Sequence, residues 1–213
     1  DGKKVVVPEL GYAGVENTYR GGRNPVLTEY TDEKNKPIDN VNGYAFVYYK
    51  YDKNKLIETK YLHADNKTPA LCEGGYYRAV YQNDSAGNII SEIQYDENDE
   101  RITDAAGADE IRYTWSGDNV ASVSYYANDL PVMGVDGYFK ACFDYNGAGK
   151  VLNIAYYDTE EKLVAGPDGY AMVDIKYDVN GKATTVKYYD AEMNLCLTPG
   201  REYAYLVNEY NED

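Results

Sequence analysis

Residues 169–190 read GYAMVDIKYDVNGKATTVKYYD, and residues 137–158 read GYFKACFDYNGAGKVLNIAYYD. Each stretch contains two runs in which apolar and polar residues alternate, joined by a turn that contains glycine. Alternation of this kind is typical of a half-buried β-strand. Asn180-Gly181 between two such runs favours a hairpin, because both residues accept a positive φ. Each copy is therefore predicted to form one antiparallel hairpin.

The same pattern recurs along the whole chain at intervals of 30 or 32 residues. It predicts six full repeats, which cover residues 11–42, 43–74, 75–106, 107–136, 137–168 and 169–200. Partial repeats are predicted at residues 1–10 and 201–213. No segment shows a sustained period of 3.6 residues, so we expect almost no helix.

A single hairpin of this size cannot bury its own apolar face, so neighbouring repeats must stack. We therefore predict one all-β array over residues 1–213, built from tandem antiparallel β-hairpin repeats in an extended or spiralling sheet. A six-bladed β-propeller is the alternative, because there are six full repeats. A repeat of 32 residues is short for the four strands of a propeller blade.

The predicted register of the last full repeat assigns its two faces. A four-residue loop from Asp178 to Gly181 would place Tyr177 opposite Lys182 and Val173 opposite Val186. The predicted core face then carries Ala171, Val173, Ile175, Tyr177, Val186 and Tyr188. A strand with one buried face has a strongly specified register, so this face is expected to be the interior of the sheet.

The opposite, outer face supplies the candidate binding residues. The same count pairs Tyr170 with Tyr189 and Tyr138 with Tyr157. We predict that these four tyrosines form an exposed aromatic strip that binds a ligand. The count gives further pairs, which are Tyr76 with Tyr95, Tyr44 with Leu62, Ala108 with Tyr126, and Tyr12 with Thr31.

Two alternatives to a binding strip remain. The aromatic pairs could serve only to stabilise each hairpin, by about 0.2–1 kcal/mol a pair. The rings could also be covered by the linkers between repeats, such as Leu163-Val164-Ala165.

The third and fourth repeats are irregular. In the third, Glu92 and Gln94 fall on the predicted core face, while Ile89 and Ile93 fall on the outer face. The fourth, GADEIRYTWSGDNVASVSYY, contains the one tryptophan, Trp115. A change of register, a bend or a second surface is expected in this region.

The net charge of −15 at pH 7 restricts the partners. Such a surface repels phosphate backbones and anionic lipids, so we expect neither nucleic acid nor insertion into a membrane. Tyrosine, with 26 residues, is the dominant aromatic residue. It favours strands and can pack its ring while its hydroxyl stays in water.

The sequence contains no clear motif for catalysis or metal binding. Cys72, Cys142 and Cys196 have neither disulfide nor zinc spacing, so they are interpreted as small apolar residues. His63 is expected in a surface turn. GAGK at 147–150 and the acidic stretch Asp96–Glu100 are interpreted as turns rather than as a phosphate loop and a calcium loop. We therefore predict no catalytic residue, no cofactor and no metal, and no enzymatic activity.

The punctuation Tyr177-Asp178-Val179-Asn180-Gly181 resembles that of YD-repeat (Rhs) proteins. The layout of one hairpin in each repeat is also similar to that of MORN-type and WG-type repeat proteins. This resemblance implies tandem hairpins on exported or cell-surface bacterial proteins, without catalytic residues.

These observations lead to an expected function. We expect a non-enzymatic binding or scaffold module whose ligand is a glycan, a cell-wall polymer or a protein. A purely structural spacer, stalk or shell that carries another domain is the alternative. Because the chain begins with Asp1 and the pattern is cut at both ends, we expect a processed piece of a secreted or cell-surface protein.

Overall fold

A computed structural model describes residues 4–103 and 106–210 of the chain. Residues 1–3, 104–105 and 211–213, which belong to the predicted repeats 1–10, 75–106 and 201–213, lie outside the described residues. All regular secondary structure in the described part is β-structure, without any helix. The all-β prediction is confirmed.

The chain divides into two compact units, Asp1–Ile102 and Thr103–Asp213. The N-terminal unit contains β1 (Gly14–Tyr19), β2 (Pro25–Thr31), β3 (Phe46–Asp52), β4 (Lys55–Leu62), β5 (Arg78–Asn83) and β6 (Ile89–Tyr95). The C-terminal unit contains β7 (Glu110–Ser116), β8 (Asn119–Ala127), β9 (Leu130–Pro131), β10 (Lys140–Tyr145), β11 (Val151–Tyr157), β12 (Met172–Tyr177), β13 (Ala183–Tyr189) and β14 (Tyr205–Val207). The division falls inside the predicted third repeat.

Within each unit the strands lie side by side in chain order, and every pair is antiparallel. In the N-terminal unit β1 to β6 follow one another, and in the C-terminal unit the order is β7-β8-β10-β11-β12-β13-β14, with the short β9 beside β8. Each hairpin also hydrogen-bonds to the next one, for example β11 to β12. In a propeller each blade is a separate sheet. The propeller alternative is therefore wrong, and the open array of hairpins is confirmed.

The register of the hairpins differs from the predicted one by two residues. The sequence count placed Val173 opposite Val186, whereas Val173 lies opposite Tyr188 in the structure. All six predicted outer-face pairs are therefore wrong. In the structure, Tyr189 lies opposite Met172, Tyr157 opposite Lys140, and Tyr95 opposite Arg78. Likewise, Leu62 lies opposite Phe46, Tyr126 opposite Glu110, and Thr31 opposite Gly14.

The two-residue difference arises next to the hairpin turn. Tyr177 pairs with Ala183 rather than with Lys182, which lengthens the loop by one residue. The β-bulge opposite Lys176 and Tyr177 adds one extra residue to β13, which accounts for the second residue of the difference. Because side chains alternate with a period of two, a difference of two residues leaves the strand residues beyond the bulge on their predicted faces, whereas Ala183, between the turn and the bulge, changes face.

The face that carries Val173 and Tyr188, here called the inner face, is the core. Val173, Tyr188 and Ala141 are buried there, and Ile175 and Val186 pack against them. The core-face prediction for these strand residues is therefore confirmed. In the third repeat Glu92 lies opposite Tyr81 and Gln94 opposite Ala79. Both polar residues lie on the inner face as predicted, so the strand does not change register.

Aspartate side chains stabilise the turns at both ends of the hairpins. The Oδ1 atom of Asp96 accepts hydrogen bonds from the backbone N–H groups of Asn98 and Glu100, both at 2.9 Å. The bond from Glu100 is the main cause of the lowered pKa of Asp96. Asp158 and Asp178 accept equivalent bonds. The interpretation of Asp96–Glu100 as an Asx-turn is confirmed.

Neighbouring repeats are also joined by the tyrosines that end β10 and β12. The hydroxyl of Tyr177 donates to the carbonyl oxygen of Val151 at 2.9 Å, and Tyr145 donates to Val120 at the same distance. Lys150 adds a hydrogen bond to the carbonyl oxygen of Gly181 in the next turn. The two tyrosine bonds each join the first strand of one repeat to the second strand of the preceding repeat.

The inner face of each unit contains a row of tyrosine rings in contact, here called the tyrosine ladder. In the C-terminal unit the ring centroids are 5.6, 4.9, 5.8 and 5.2 Å apart along Tyr125, Tyr138, Tyr156, Tyr170 and Tyr188. In the N-terminal unit they are between 4.9 and 5.8 Å apart along Tyr12, Tyr30, Tyr44, Tyr61 and Tyr76. Tilted rings at such separations attract each other beyond the burial of their surface.

The linkers between repeats cover the ladder of the C-terminal unit. Val164 and Cys196, both in linkers, pack against the core cluster. Gly166 lies so close to Tyr156 that an added Cβ would overlap the ring, and Gly134 is placed in the same way against Tyr125. The linker glycines are therefore required by close packing on a ring.

The contact between Gly166 and Tyr156 can be tested by adding one methyl group. Gly166→Ala is expected to lower the free energy of unfolding by about 1–3 kcal/mol, because the site is already full. Gly147→Ala is the matched control, since its Cβ would meet no atom within 4 Å. It should change the stability by less than about 0.5 kcal/mol. Equal urea midpoints for the two variants would contradict the linker packing.

Truncation of a tyrosine in the ladder is expected to destabilise the protein more than truncation of a tyrosine on the outer face. Tyr170→Ala removes a ring that is 5% exposed within the ladder and should cost about 3–5 kcal/mol. Tyr189→Ala removes a partly exposed ring on the outer face and should cost about 1 kcal/mol. Chemical denaturation followed by circular dichroism measures both values. A larger loss for Tyr189→Ala would contradict the assignment of faces.

The ladder also predicts a loss of stability at high pH. Burial raises the pKa of Tyr30 and of Tyr61 to about 12, whereas tyrosine in an unfolded chain ionises near about 10. The stability that these phenols contribute is therefore complete below about pH 10 and is lost as the pH rises towards about 12. Urea midpoints, measured beside the tyrosinate absorbance, should fall over that interval. Midpoints that stay constant there would contradict the prediction.

Candidate functional site

The structure does not bring the four predicted binding tyrosines onto one surface. Tyr138 and Tyr170 are 8% and 5% exposed and belong to the tyrosine ladder. Tyr157 and Tyr189 follow the ladder residues Tyr156 and Tyr188 directly in the strand, so they lie on the outer face and are partly exposed. The predicted pairing across the hairpin is wrong, and no strip of all four rings is formed. Contact of Tyr157 or Tyr189 with a ligand stays a prediction.

The rule of alternating faces wrongly placed Tyr138 and Tyr170 on the outer face, because neither residue is in a strand. The first strands begin at Lys140 and Met172, two residues later. Before that point the backbone leaves a turn, in which the N–H of Gly166 bonds to the carbonyl oxygen of Tyr170 at 2.8 Å. The turn directs these rings to the inner face.

The outer face of the C-terminal unit contains a cavity of about 360 Å³, here called the serine cavity. Its lining includes Thr114, Ser122, Ser124, Tyr126, Lys140 and Glu161. Strand β8 supplies its two serines and its tyrosine at alternate positions. Because alternate residues share a face, all three side chains lie on the outer face.

Hydroxyl groups form the floor of the serine cavity. Ser122 and Ser124 are buried, and the Oγ1 atom of Thr114 lies 2.7 Å from the Oγ atom of Ser122. The hydroxyl of Ser124 donates to the carbonyl oxygen of Arg112 at 3.4 Å. A hydroxyl has one donor and two acceptor positions, so these groups keep capacity for a polar ligand.

An aromatic ring forms one wall of the serine cavity. The guanidinium carbon of Arg112 lies 3.9 Å from the centroid of the Tyr126 ring, and the ring of Phe139 meets Tyr126 edge to face, with centroids 5.5 Å apart. Arg112 is itself held by Glu110 at 2.8 Å and by Asp129 at 2.5 Å. The ring therefore has a fixed orientation, which reduces the entropy that a ligand would lose on contact.

Charged groups of opposite sign border the serine cavity. Lys140 of β10 lies opposite Ser124 of β8 and, in the other neighbouring strand, opposite Tyr157 of β11. Burial is the main cause of the raised pKa of Tyr157, and the charge of Glu161 adds to it. Burial likewise raises the pKa of the Cys142 thiol, which Lys140 partly offsets. The cavity thus offers one cation and one carboxylate beside uncharged hydroxyls.

The described part of the chain contains no group of three or more His, Cys, Asp or Glu side chains placed to hold a metal ion. It likewise contains no helix long and apolar enough to cross a membrane. The Nδ1 atom of His63 lies 2.7 Å from the Oδ2 atom of Asp39. The three cysteines are free thiols and partly buried.

Strand β8 carries a sequence signal for the serine cavity. Residues 119–127 read NVASVSYYA, in which serines at 122 and 124 alternate with apolar residues and precede Tyr126. Polar residues at alternate positions that are nevertheless buried indicate a covered or concave outer face. The burial itself could not be read from the sequence, because it depends on β10 and on the linker after β11.

Neither a protein-family model nor a curated protein matches the chain. Among solved structures, the chain is similar to a chain in the crystal structure of TcdB2-TccC3-Cdc42, with a TM-score of 0.40 and 11% sequence identity. The match covers 81% of this chain and 9% of that chain. This similarity assigns neither a family nor an activity to the chain. The β-rich repeat fold is established by the strand pairing described above, and the resemblance to YD-, WG- and MORN-type repeats stays a prediction.

Proposed function

We propose that the chain is a non-enzymatic carbohydrate-binding module and that the serine cavity is its binding site. The observation that carries this proposal is the combination of a fixed tyrosine ring, buried hydroxyl groups and two opposite charges in one cavity of about 360 Å³. Cavities of roughly 300–1,000 Å³ are the usual size for a small ligand.

The chemistry of a sugar fits this lining. A pyranose ring has a face of C–H groups, which packs on an aromatic ring, and an edge of hydroxyl groups, which need both donors and acceptors. Tyr126 offers the ring, while Ser122 and Ser124 offer donors and acceptors. Lys140 and Glu161 offer charge-assisted hydrogen bonds and cancel each other in charge. The cavity therefore favours an uncharged saccharide.

The proposal places the chain in an exported or cell-surface bacterial protein, which rests on the resemblance to hairpin-repeat proteins. A structural spacer is the second candidate. It is favoured by the bonds that join neighbouring repeats, such as that from Tyr177 to Val151. A spacer and a binding module differ in one measurable property, which is affinity for a soluble glycan.

Replacement of Lys140 tests the site. On an array of uncharged oligosaccharides we expect binding, and calorimetry with the best ligand should show about tenfold weaker affinity for Lys140→Met. Lys176→Met is the matched control, because Lys176 is exposed on the outer face of β12. It should keep the parent affinity within about twofold. The bound oligosaccharide should be recovered uncleaved.

Three results would contradict the proposal. Equal losses of affinity for the two lysine variants would remove the serine cavity as the site. A cleaved oligosaccharide would show an enzyme. If no uncharged glycan binds, the spacer is the better description of the chain.

A further inference from the structure

A second cavity of about 330 Å³ lies in the N-terminal unit, and its chemistry differs from that of the serine cavity. It is here called the basic cavity, and its lining includes Thr18, Arg20, Leu27, Tyr48 and Lys50. Thr18 pairs with Leu27, and Leu27 pairs with Tyr48 across β1, β2 and β3. These three side chains therefore share the outer face, near the hairpin turns.

The two cations of the basic cavity are exposed and take no part in an ion pair within residues 4–103. Two cations further along the same unit are already paired. Lys60 lies 3.8 Å from Glu58, and Arg78 lies 2.6 Å from Asp99. Arg20 and Lys50 are thus available for a ligand.

The cavity has an apolar wall as well as cations. The ring of Tyr48 is held by its hydroxyl, which lies 2.8 Å from the Oδ1 atom of Asn66. The side chain of Leu27 lies beside this ring in the neighbouring strand. A ring and an aliphatic side chain form a surface that suits the C–H face of a sugar.

Nearby carboxylates determine how a ligand would lie. Glu16 and Glu29 face each other one step further from the turn on the same face. Burial, followed by the charge of Glu16, raises the pKa of Glu29. Glu58 lies opposite Lys50 but is shared with Lys60 and Arg78. An anionic group would therefore point to the turn, towards Arg20 and Lys50, while sugar hydroxyls lie towards Glu16 and Glu29.

We infer that the basic cavity binds a carboxylate-bearing saccharide, that is, a uronic acid unit of an acidic glycan. The guanidinium of Arg20 can hold a carboxylate through two parallel hydrogen bonds, and Lys50 adds a third donor. Two cations beside an apolar wall match one carboxylate on a sugar ring. The inference concerns another cavity and another ligand charge than the proposed function, so either can fail alone.

The experiment uses the full 213-residue chain and a panel of oligouronates, made of galacturonate, glucuronate or mannuronate. Each is tested beside its methyl ester, which keeps the sugar and removes the charge. We expect at least one oligouronate to bind, with affinity about tenfold higher than its ester. Binding should weaken as salt is added, because exposed charges are screened.

Three variants with the same change of charge locate the site. Arg20→Gln and Lys50→Gln should each weaken oligouronate binding about tenfold. Arg23→Gln is the matched control, because Arg23 lies in the same turn but does not line the cavity. It should stay within about twofold of the parent. Circular dichroism and thermal melting verify that the variants are folded.

Four results would overturn the inference. If no oligouronate binds, or if the methyl ester binds as well as the acid, the cavity does not recognise a carboxylate. If Arg23→Gln loses as much as Arg20→Gln, only the general charge of the turn matters. If inorganic phosphate at the same concentration displaces the oligouronate, the cavity is a simple anion site.

Discussion

The contact between tyrosine rings on the inner face is the interaction on which the rest of the structure depends. A hairpin of two strands has too little apolar surface to be stable alone. In the C-terminal unit, Tyr156 lies between Tyr138 and Tyr170, with centroids 4.9 and 5.8 Å away. Because Tyr138 opens the repeat of Tyr156 while Tyr170 opens the next repeat, the row of rings joins neighbouring repeats. Burial of one hairpin therefore requires the presence of the next.

The same contact imposes constraints on the linkers. The chain must cross the tyrosine ladder to begin the next repeat, and at Gly166 only glycine fits against Tyr156. Asp158 turns the linker back by accepting two backbone hydrogen bonds. Thus much of the acidic charge serves turn geometry. A large negative charge in such a protein does not by itself indicate a cation site.

Because the core occupies the inner face, the outer face is free to vary between repeats. The serine cavity combines buried hydroxyls with one lysine and one glutamate. The basic cavity combines three tyrosines with two unpaired cations. Both are built on paired strands, which hold side chains more rigidly than loops do. One scaffold can in this way carry different binding chemistries without a change in its core.

The sequence by itself determined the hairpin repeat, the all-β class, the turns and the face of the strand residues beyond the bulge. These follow from local rules, namely a period of two and turn residues that accept a positive φ. Only the tertiary structure decided the register, because one extra loop residue and the bulge at Lys176 leave no local mark. It also decided that Tyr170 faces inward, since that ring precedes its strand and is placed by packing between Tyr156 and Tyr188. The cavities depend on side chains from several strands and linkers, and sequence spacing does not specify which of those side chains meet.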